Sequence, residues 1–456
     1  MKNKNKLGII LSLFLCTIIS VNIFFMGYYP NATFIQQNSS FSGQKNEPTR
    51  ILKTQTDLEL WYTTWGGAAW DEGYGIALDS AGNIYATGST SSYGTGSRDL
   101  ALVKFYSSGT KAWNVTWGGA EWEEGHGIVL DSTGNIYVTG ETESYGSGVD
   151  DLVVIKFYPN GTKAWNVTWG DSSHDYGYDI ALDSEGNIYV TGSTYSYGVG
   201  HSDIVVVKFY PNGTMRWNVT WGGSSYDEGY GIALDSAGNI YATGNTSSYG
   251  AGHGDIAVVK FYPNGTKAWN VTWGGSNDDL GYAITADSAG NIYATGASSS
   301  YGEGSNDLAV VKFYPNGTKA WNVTWGGSYA ECGYDIALDT AGNIYATGGS
   351  SSYGEGSNDL AVVKFYPNGT KSWNKTWGSS SYEIGYGIAL DSDGNIYTTG
   401  AAMGYGEGSG DLVVVKLYED SSTTAPIPSF LVIFVIMGLL MVIVNIKRKR
   451  KLIKIY

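Results

Sequence analysis

Hydrophobic and polar residues alternate along most of this chain in short runs, and each run is bounded by glycine, asparagine, aspartate or proline. Alternation with period two is typical of β-strands that bury one face, and the boundary residues indicate tight turns. One unit reads GIALDSAGNIYATGSTSSYGTGSRDLALVKFYSSGTKAWNVTWGG from Gly75 onward. It contains strand-like runs A to D, at residues 75–78, 83–87, 100–106 and 111–117. The pattern therefore predicts four strands per unit.

The unit recurs at a constant spacing. Seven tryptophans follow one another at intervals of 52 residues: Trp65, Trp117, Trp169, Trp221, Trp273, Trp325 and Trp377. A four-stranded antiparallel unit repeated every 40 to 50 residues or so is typical of a β-propeller blade, whereas solenoids with helices would show a helical period. We therefore predict an all-β fold, a single seven-bladed β-propeller over residues 57–418.

The phase of the repeat predicts how the ring closes. The array begins with a lone D run at residues 58–65 and ends with an A-B-C set at residues 387–418. The N-terminal strand is expected to complete the last blade, because this pairing leaves no exposed strand edge at the junction.

The segments GIALDSAGNIYATG, DLALVKFY and WNVTWGG resemble the SBBP-type β-propeller repeats of microbial surface proteins, and the likeness extends over residues 57–418. The resemblance implies the propeller fold but no general activity. The C-terminal end also resembles the sorting tails of archaeal surface proteins.

Both ends of the chain are hydrophobic. Residues 1–29 combine a lysine-rich start with an apolar run, which indicates a signal peptide or an N-terminal anchor. Residues 30–56 and 419–428 are interpreted as linkers. Residues 429–446 are predicted to form a transmembrane helix, and the basic residues 447–456 a cytoplasmic tail. These terminal hydrophobic helices would hold an extracellular propeller at the cell membrane.

The charge is distributed unevenly between the ends and the middle. Nine of the 27 Lys and Arg lie in the two ends, which leaves 18 against 42 acidic residues and a net charge of −24 between residues 30 and 425. Such a domain repels nucleic acid and favours cations, basic partners or neutral glycans. We therefore predict no nucleic-acid partner.

The B-C loops share a Tyr-Gly-x-Gly motif, and the D-A loops vary. Aromatic rings can stack on sugars while carboxylates accept hydrogen bonds from sugar hydroxyls. The alternative is that these loops vary freely and that Tyr and Gly only build turns. The predicted ligand face comprises Tyr93, Tyr145, Tyr197, Tyr249, Tyr301, Tyr353 and Tyr405, with Asp71, Glu72, Asp227 and Glu228.

Asn-x-Ser/Thr acceptors recur on the D strands, where they predict N-glycosylation, although Asn and Thr are also ordinary polar residues of an outer strand. They are Asn114, Asn166, Asn218, Asn270, Asn322 and Asn374. No cofactor is predicted. Acidic pairs in the loops leave calcium binding as an open alternative, but no loop has the alternating Asp pattern of a calcium-binding loop.

The blades are almost interchangeable, and the histidines His126, His174, His201 and His253 form no recognisable catalytic arrangement. We therefore predict a noncatalytic membrane-anchored surface module that presents a multivalent binding face to a glycan, an envelope component or a partner protein. One alternative is a structural envelope protein without a specific ligand. Another is a carbohydrate-active enzyme, which would require a blade-specific cluster of carboxylates near the axis.

Overall fold

The computed structural model describes residues 60–418 and, for the backbone alone, residues 49–51. The predicted leader, the transmembrane helix, the cytoplasmic tail and the linker 419–428 lie outside the described residues, as does most of the linker 30–56. Within the described residues no helix is long and apolar enough to cross a membrane.

The described chain contains 29 β-strands, and their bounds follow the repeat. Before the first blade come β1 (Thr49–Ile51) and β2 (Leu60–Trp65). Blade 1 contains β3 (Asp71–Leu78), β4 (Ile84–Thr90), β5 (Asp99–Phe105) and β6 (Lys111–Trp117). Blade 2 contains β7 (Glu123–Leu130), β8 (Ile136–Thr142), β9 (Asp151–Phe157) and β10 (Lys163–Trp169). Blade 3 contains β11 (Asp175–Leu182), β12 (Ile188–Thr194), β13 (Asp203–Phe209) and β14 (Met215–Trp221).

The remaining blades follow the same order. Blade 4 contains β15 (Asp227–Leu234), β16 (Ile240–Thr246), β17 (Asp255–Phe261) and β18 (Lys267–Trp273). Blade 5 contains β19 (Asp279–Ala286), β20 (Ile292–Ser298), β21 (Asp307–Phe313) and β22 (Lys319–Trp325). Blade 6 contains β23 (Glu331–Leu338), β24 (Ile344–Ser350), β25 (Asp359–Phe365) and β26 (Lys371–Trp377). Blade 7 contains β27 (Glu383–Leu390), β28 (Ile396–Ala402) and β29 (Asp411–Leu417).

Each blade contains four antiparallel strands, which follow the order of runs A to D from the central axis outward, and the sheet of blade 7 has a fifth strand at its outer edge. The predicted seven-bladed all-β propeller is confirmed. The A strands begin at Asp71, four residues before the predicted start, because a bulge near Gly73 interrupts the alternation from which the strand was read.

The ring closes as predicted. Strand β2 completes blade 7 by pairing with β29, from Leu60 opposite Leu417 to Trp65 opposite Leu412. Residues 49–51, which the sequence placed in a linker, add β1 to the outer edge of this sheet. At least one backbone hydrogen bond joins the blades at every interface, including Asp71 N–H to the Gly410 carbonyl between blades 1 and 7.

The core lies between the faces of adjacent blades. Trp117 of blade 1, for example, packs with Ile136, Val138 and Val153 of blade 2, and all four side chains are buried. The tryptophans that define the repeat are therefore packing residues, and their constant spacing follows from the constant blade geometry.

Connections between strands lie on two opposite faces of the disc. The short A-B and C-D turns lie on one, which we call the turn face. The D-A and B-C loops lie on the other, which we call the loop face. Since β2 begins beside the end of β29, both ends of the propeller lie together at the turn face.

Candidate functional site

A β-bulge on each inner strand turns side chains toward the axis. In blade 1, Gly73 pairs with Gly88 and Gly75 pairs with Thr87, which leaves Tyr74 as the extra residue. Such a bulge bends the strand and redirects its side chains. Tyr74 and Gly75 consequently both line the central channel although they are consecutive.

The bulge residues of the seven blades form a closed aromatic ring around the axis. Their neighbouring ring centroids lie 4.9 to 5.6 Å apart. The members are Tyr74, His126, Tyr178, Tyr230, Tyr282, Tyr334 and Tyr386. Burial raises the pKa of the six tyrosines well above its ordinary value, so these phenols are neutral. We call this set the aromatic ring.

A channel cavity of about 170 Å³ lies against the aromatic ring, and two aspartates line it. Asp179 accepts hydrogen bonds from the backbone N–H groups of Ile180 and Ile232, at 2.8 and 2.9 Å. Asp335 does the same at blade 6, and the other five blades carry Gly or Ala at this position. Burial raises the pKa of Asp179 to about 6 and that of Asp335 to about 7.

On the loop-face side of the ring the channel mouth differs from blade to blade. The residue two places before each ring member is Glu72, Glu124, Tyr176 or Glu228 in blades 1 to 4. The equivalent residues of blades 5 to 7 are Leu280, Cys332 and Ile384. One side of the mouth is therefore acidic and the other apolar. We call the side formed by blades 1 to 4 the acidic arc.

Arg98 joins the first two carboxylates of the acidic arc. Its Nη2 lies 2.6 Å from Oε2 of Glu72, and its Nε lies 2.9 Å from Oε1 of Glu124. The guanidinium also lies over the ring of Trp122, 5.4 Å from the centroid, which is a cation–π contact. Arg98 is the only basic residue at its repeat position, where the other blades carry Asp, Ser, Gly or Asn.

His126 connects two glutamates of blade 2. Its Nε2 lies 2.7 Å from Oε2 of Glu141 and 3.9 Å from Oε2 of Glu124. Burial alone would lower the pKa of His126, but the charge of Glu141, the hydrogen bond that the imidazole donates to it and the charge of Glu124 raise that pKa above its ordinary value. Burial raises the pKa of Glu124.

The arc continues through blades 3 and 4. The imidazole of His174 is hydrogen-bonded to Asp150, which also accepts a 3.2 Å bond from the Tyr176 hydroxyl. In blade 4, Glu228 accepts hydrogen bonds from the hydroxyls of Tyr230 and Tyr195, at 2.8 and 3.3 Å. These contacts hold the acidic side chains in fixed orientations.

Exposed aromatic residues surround the acidic arc on the loop face. Trp70, Trp122 and Tyr226 are 37, 47 and 49% exposed. His174 occupies the same repeat position in blade 3, with 42% of its side chain exposed. At this position blade 5 has Asp278, blade 6 has Ala330 and blade 7 has the partly buried Tyr382. The exposed aromatic residues of this position therefore lie in blades 1 to 4, and we call them the aromatic rim. Wide apolar faces thus lie beside oriented carboxylates, an arrangement suited to a polar ligand with apolar faces.

Comparison with known proteins agrees with the fold. The profile of the SBBP β-propeller repeat matches residues 66–94, 124–146, 169–198, 221–250 and 377–402. The chain is an SBBP-repeat β-propeller.

The SBBP propeller is also similar to several characterised and uncharacterised proteins. An "Uncharacterized WD repeat-containing protein" of Acanthamoeba polyphaga mimivirus is 22% identical over 388 residues, covering 60% of the chain and 27% of the relative. The chain thus spans about a quarter of the length of this relative. A gluconolactonase of Xanthomonas campestris superposes with a TM-score of 0.38 at 13% identity, over 68% of this chain and 96% of that one.

A puromycin hydrolase superposes on the SBBP propeller with a TM-score of 0.47 at 11% identity, over 80% of this chain and 58% of that one. Enzymes therefore occur among the structures that resemble this fold. At these identities the likeness concerns the propeller architecture alone.

The tyrosines of the Tyr-Gly-x-Gly loops lie on the loop face of the SBBP propeller, farther from the axis than the acidic arc. Tyr93, Tyr145, Tyr197, Tyr249, Tyr301 and Tyr353 are 41 to 45% exposed. Tyr405 is less exposed. Each ring packs on a tryptophan of a D strand, as Tyr301 does on Trp273 at 5.1 Å. Each hydroxyl donates to a glycine carbonyl, as that of Tyr301 does to Gly274 at 3.2 Å.

The predicted acidic residues separate into two kinds. Asp71 and Asp227 are fully buried. The carboxylate of Asp227 accepts hydrogen bonds from the hydroxyls of Thr246 and Ser248 and from the Gly223 N–H, and Asp71 has equivalent partners. Asp71 and Asp227 therefore hold the loops in place through hydrogen bonds made beneath the loop face. Glu72 and Glu228, one residue further along, lie in the acidic arc.

The candidate glycosylation acceptors lie on the outer strands. Asn166, Asn218, Asn270 and Asn322 are exposed, and Asn114 and Asn374 are partly exposed. In most blades the asparagine Oδ1 accepts a hydrogen bond from a lysine of the same strand, as in the 2.9 Å bond from Lys163 to Asn166. These sites are remote from the axis, so glycans there would leave the channel mouth free.

Several residues of the mouth were not singled out from the sequence: Arg98, Trp122, Glu124, Glu141, Tyr176, Asp179 and Asp335. His126 was noted but assigned no role. The available signal was departure from the repeat: Arg98, Glu141 and Tyr176 are unique at their positions, and the residue types of Trp122, Asp179 and Asp335 each occur in two blades. Glu124 gave no such signal, because blades 1 and 4 also carry Glu there. A carboxylate cluster near the axis, which the sequence analysis required of an enzyme, is present on these residues.

Proposed function

We propose that this protein is a noncatalytic binding module at the cell surface, and that it binds a neutral glycan at the acidic arc. The observation that carries the proposal is the concentration of blade-specific residues in one place. The strands and turns repeat almost unchanged, while the oriented carboxylates of Glu72, Glu124 and Glu228 lie beside the exposed aromatic rim.

The chemistry of the arc favours a carbohydrate. Trp70, Trp122 and Tyr226 offer aromatic surfaces on which the apolar face of a pyranose can stack. The carboxylates of Glu72 and Glu228 can accept hydrogen bonds from sugar hydroxyls. The net charge of −24 between residues 30 and 425 argues against a strongly anionic glycan.

The acidic arc differs from blade to blade, and this asymmetry favours one ligand-binding site over seven equivalent sites. The Tyr-Gly-x-Gly tyrosines, which the sequence offered as a sevenfold array, already use their hydroxyls and one ring face inside the fold. A multivalent face would therefore depend on half-exposed ring edges. The acidic arc offers oriented polar groups and open aromatic faces together.

The proposal includes attachment to the membrane through the predicted helix at residues 429–446. Support comes from the paired ends of the propeller, where Leu60 lies opposite Leu417 at the turn face. A tether leaving there directs the loop face, and with it the acidic arc, away from the membrane. Because residues 1–29 could also anchor the chain, the test exchanges them for a cleavable export signal. A chain of this kind truncated after residue 425 should pass from the membrane fraction to the soluble fraction, and continued membrane retention would contradict this attachment.

The glycan site is tested by binding of the purified full-length chain to an array of neutral and charged glycans, with calcium and with a chelator. Replacing Trp122 and Glu228 by Ala, singly, should abolish saturable binding. Tyr329→Ala is the matched control, because Tyr329 is an aromatic residue of the same face, 66% exposed, outside the arc. Equal loss of binding in the control, or binding to anionic glycans alone, would contradict the proposal.

A carbohydrate-active enzyme is the second candidate. One observation favours it: Glu72, Glu124 and Glu141 are blade-specific carboxylates at the axis, and a hydrolase or lyase needs such acid and base groups. Glycans recovered from the binding assay distinguish the two candidates. Shortened or unsaturated products that disappear in Glu124→Gln would establish the enzyme, whereas intact glycans support the binding module.

A further inference from the structure

The cluster of Glu124, His126 and Glu141 in blade 2 contains three side chains whose ligand atoms converge. One imidazole nitrogen and two carboxylate oxygens all lie within 4.8 Å of one another. This is the one such group of three among the residues the structure describes. We propose that these side chains bind one divalent transition-metal ion of the zinc class. The argument for the metal does not require that a glycan binds, although Glu124 also belongs to the acidic arc.

The distances fit a metal after a small adjustment. Donor atoms about 2.1 Å from a tetrahedral zinc ion lie about 3.4 Å from one another. In the structure the Nε2 of His126 lies 2.7 Å from one glutamate oxygen and 3.9 Å from the other. The required value lies between these two, and the two glutamate oxygens lie within 4.8 Å of each other, so side-chain movements on the order of 1 Å would bring all three donors to it.

The surroundings hold each donor in position. Arg98 binds Oε1 of Glu124 and leaves Oε2 directed toward His126. The imidazole lies between the rings of Tyr74 and Tyr178, with centroids 5.0 and 5.1 Å away. Fixed orientation of ligands by neighbouring groups is typical of metal sites in proteins.

The donor set indicates which metals suit the site. A nitrogen from imidazole and oxygens from two carboxylates are ligands that zinc, cobalt and nickel accept, whereas calcium requires six to eight oxygens. Three protein donors leave a fourth tetrahedral position. The position would be available to water or to an oxygen atom of a bound ligand at the channel mouth.

The repeat itself argues that the cluster is not part of the scaffold. Six blades place Tyr where blade 2 has His126, and the ring contacts between neighbouring tyrosines of the other blades are made without a histidine. The positions of Glu124 and Glu141 are both acidic in blade 2 alone, since blade 1 pairs Glu72 with Ser89 and blade 4 pairs Glu228 with Asn245. The three donors therefore coincide only in this blade.

The test uses the purified full-length chain, freed of metal with a chelator and then titrated with Zn²⁺ by calorimetry. We expect one equivalent to bind. Co²⁺ should bind at the same stoichiometry and show the visible absorption bands of a four-coordinate site with nitrogen and oxygen ligands.

The repeat supplies a conservative variant. His126→Tyr installs the residue of the other six blades and should preserve the aromatic ring, which a melting curve verifies. It should weaken Zn²⁺ binding by more than about 100-fold. Glu141→Ser, which installs the residue of blades 1 and 3, should also weaken it strongly.

His174→Ala is the control, because His174 lies on the same face but pairs with Asp150 instead of the two glutamates. It should retain the wild-type affinity. Absence of stoichiometric Zn²⁺ binding by the wild type would overturn the proposal, as would undiminished binding by a folded His126→Tyr variant.

Discussion

Two sets of residues lie on the loop face, and they differ in whether the residue is the same in every blade or changes between blades. The outer set consists of the Tyr-Gly-x-Gly tyrosines, which are the same in all seven blades and are each fastened to a tryptophan and a glycine carbonyl. The inner set surrounds the channel mouth and changes from blade to blade, from Glu72 and Glu124 on one side to Leu280 and Ile384 on the other. In a repeat protein, residues that are the same in every repeat serve the fold, and residues that differ between repeats indicate a functional site.

The largest expected difference between the two sets concerns tryptophans. Trp325 is 5% exposed and packs between blades 5 and 6, whereas Trp122 is 47% exposed at the mouth. Trp325→Ala should lower the free energy of unfolding by about 3–5 kcal/mol, because it leaves a large cavity. Trp122→Ala should change it by less than about 0.5 kcal/mol. Denaturant titration of both variants checks this, and similar losses would remove the distinction.

Neighbouring acids of blade 4 sharpen the comparison. Asp227 is fully buried and fastens two loop hydroxyls, whereas Glu228 beside it faces the mouth. Asp227→Ala should cost about 2–3 kcal/mol of stability, since its partners would be left without an acceptor. Glu228→Ala should cost under about 1 kcal/mol and act mainly on ligand binding. The prediction fails if the melting temperatures of the two variants fall equally.

The channel aspartates should make stability depend on pH. The pKa of Asp335 is about 7 in the folded protein, against an ordinary value near 3.9 in the unfolded chain, because burial disfavours its charged form. The folded state therefore holds the proton more tightly, and this contribution is complete below about pH 4 and lost as the pH rises toward 7.

Asp335→Asn should therefore lose less stability than the wild type between pH 4.5 and pH 8, by on the order of 2 kcal/mol. Urea unfolding at the two pH values measures the difference. Asp278→Asn makes the same chemical change at an exposed position of the loop face. If this control alters the pH dependence as much as Asp335→Asn does, the channel carboxyl is not responsible.

The smallest expected effect concerns the outer tyrosines. Tyr301→Phe removes a part-exposed hydrogen bond to the Gly274 carbonyl but keeps the ring on Trp273. We expect a loss of about 0.5–1 kcal/mol in stability and unchanged glycan binding. A large loss of glycan binding in this variant would indicate that the ligand binds at the Tyr-Gly-x-Gly loops, and it would argue against the acidic arc.

Much of the candidate site could not be recognised from the sequence because two local features conceal it. The inner strands begin with residues such as Asp71 to Gly73, which resemble a loop since glycine and a bulge interrupt the alternation. Without the bulge, Tyr74 and Gly75 would point to opposite faces, and neither the aromatic ring nor the channel aspartates could be placed. Glu72 and Glu228 were selected for their acidity, without knowledge that they border the channel.

The sequence by itself determined the blade count, the four strands of each blade and the closure by β2, because period-two alternation, turn residues and a constant spacing of 52 are local properties that one chain displays directly. Tertiary structure alone decided which residues meet at the axis. Arg98 of blade 1 meets Glu124 of blade 2 only because the ring brings neighbouring inner strands and loops side by side. Burial then distinguishes Asp227 from Glu228, two adjacent acids that no local pattern could separate.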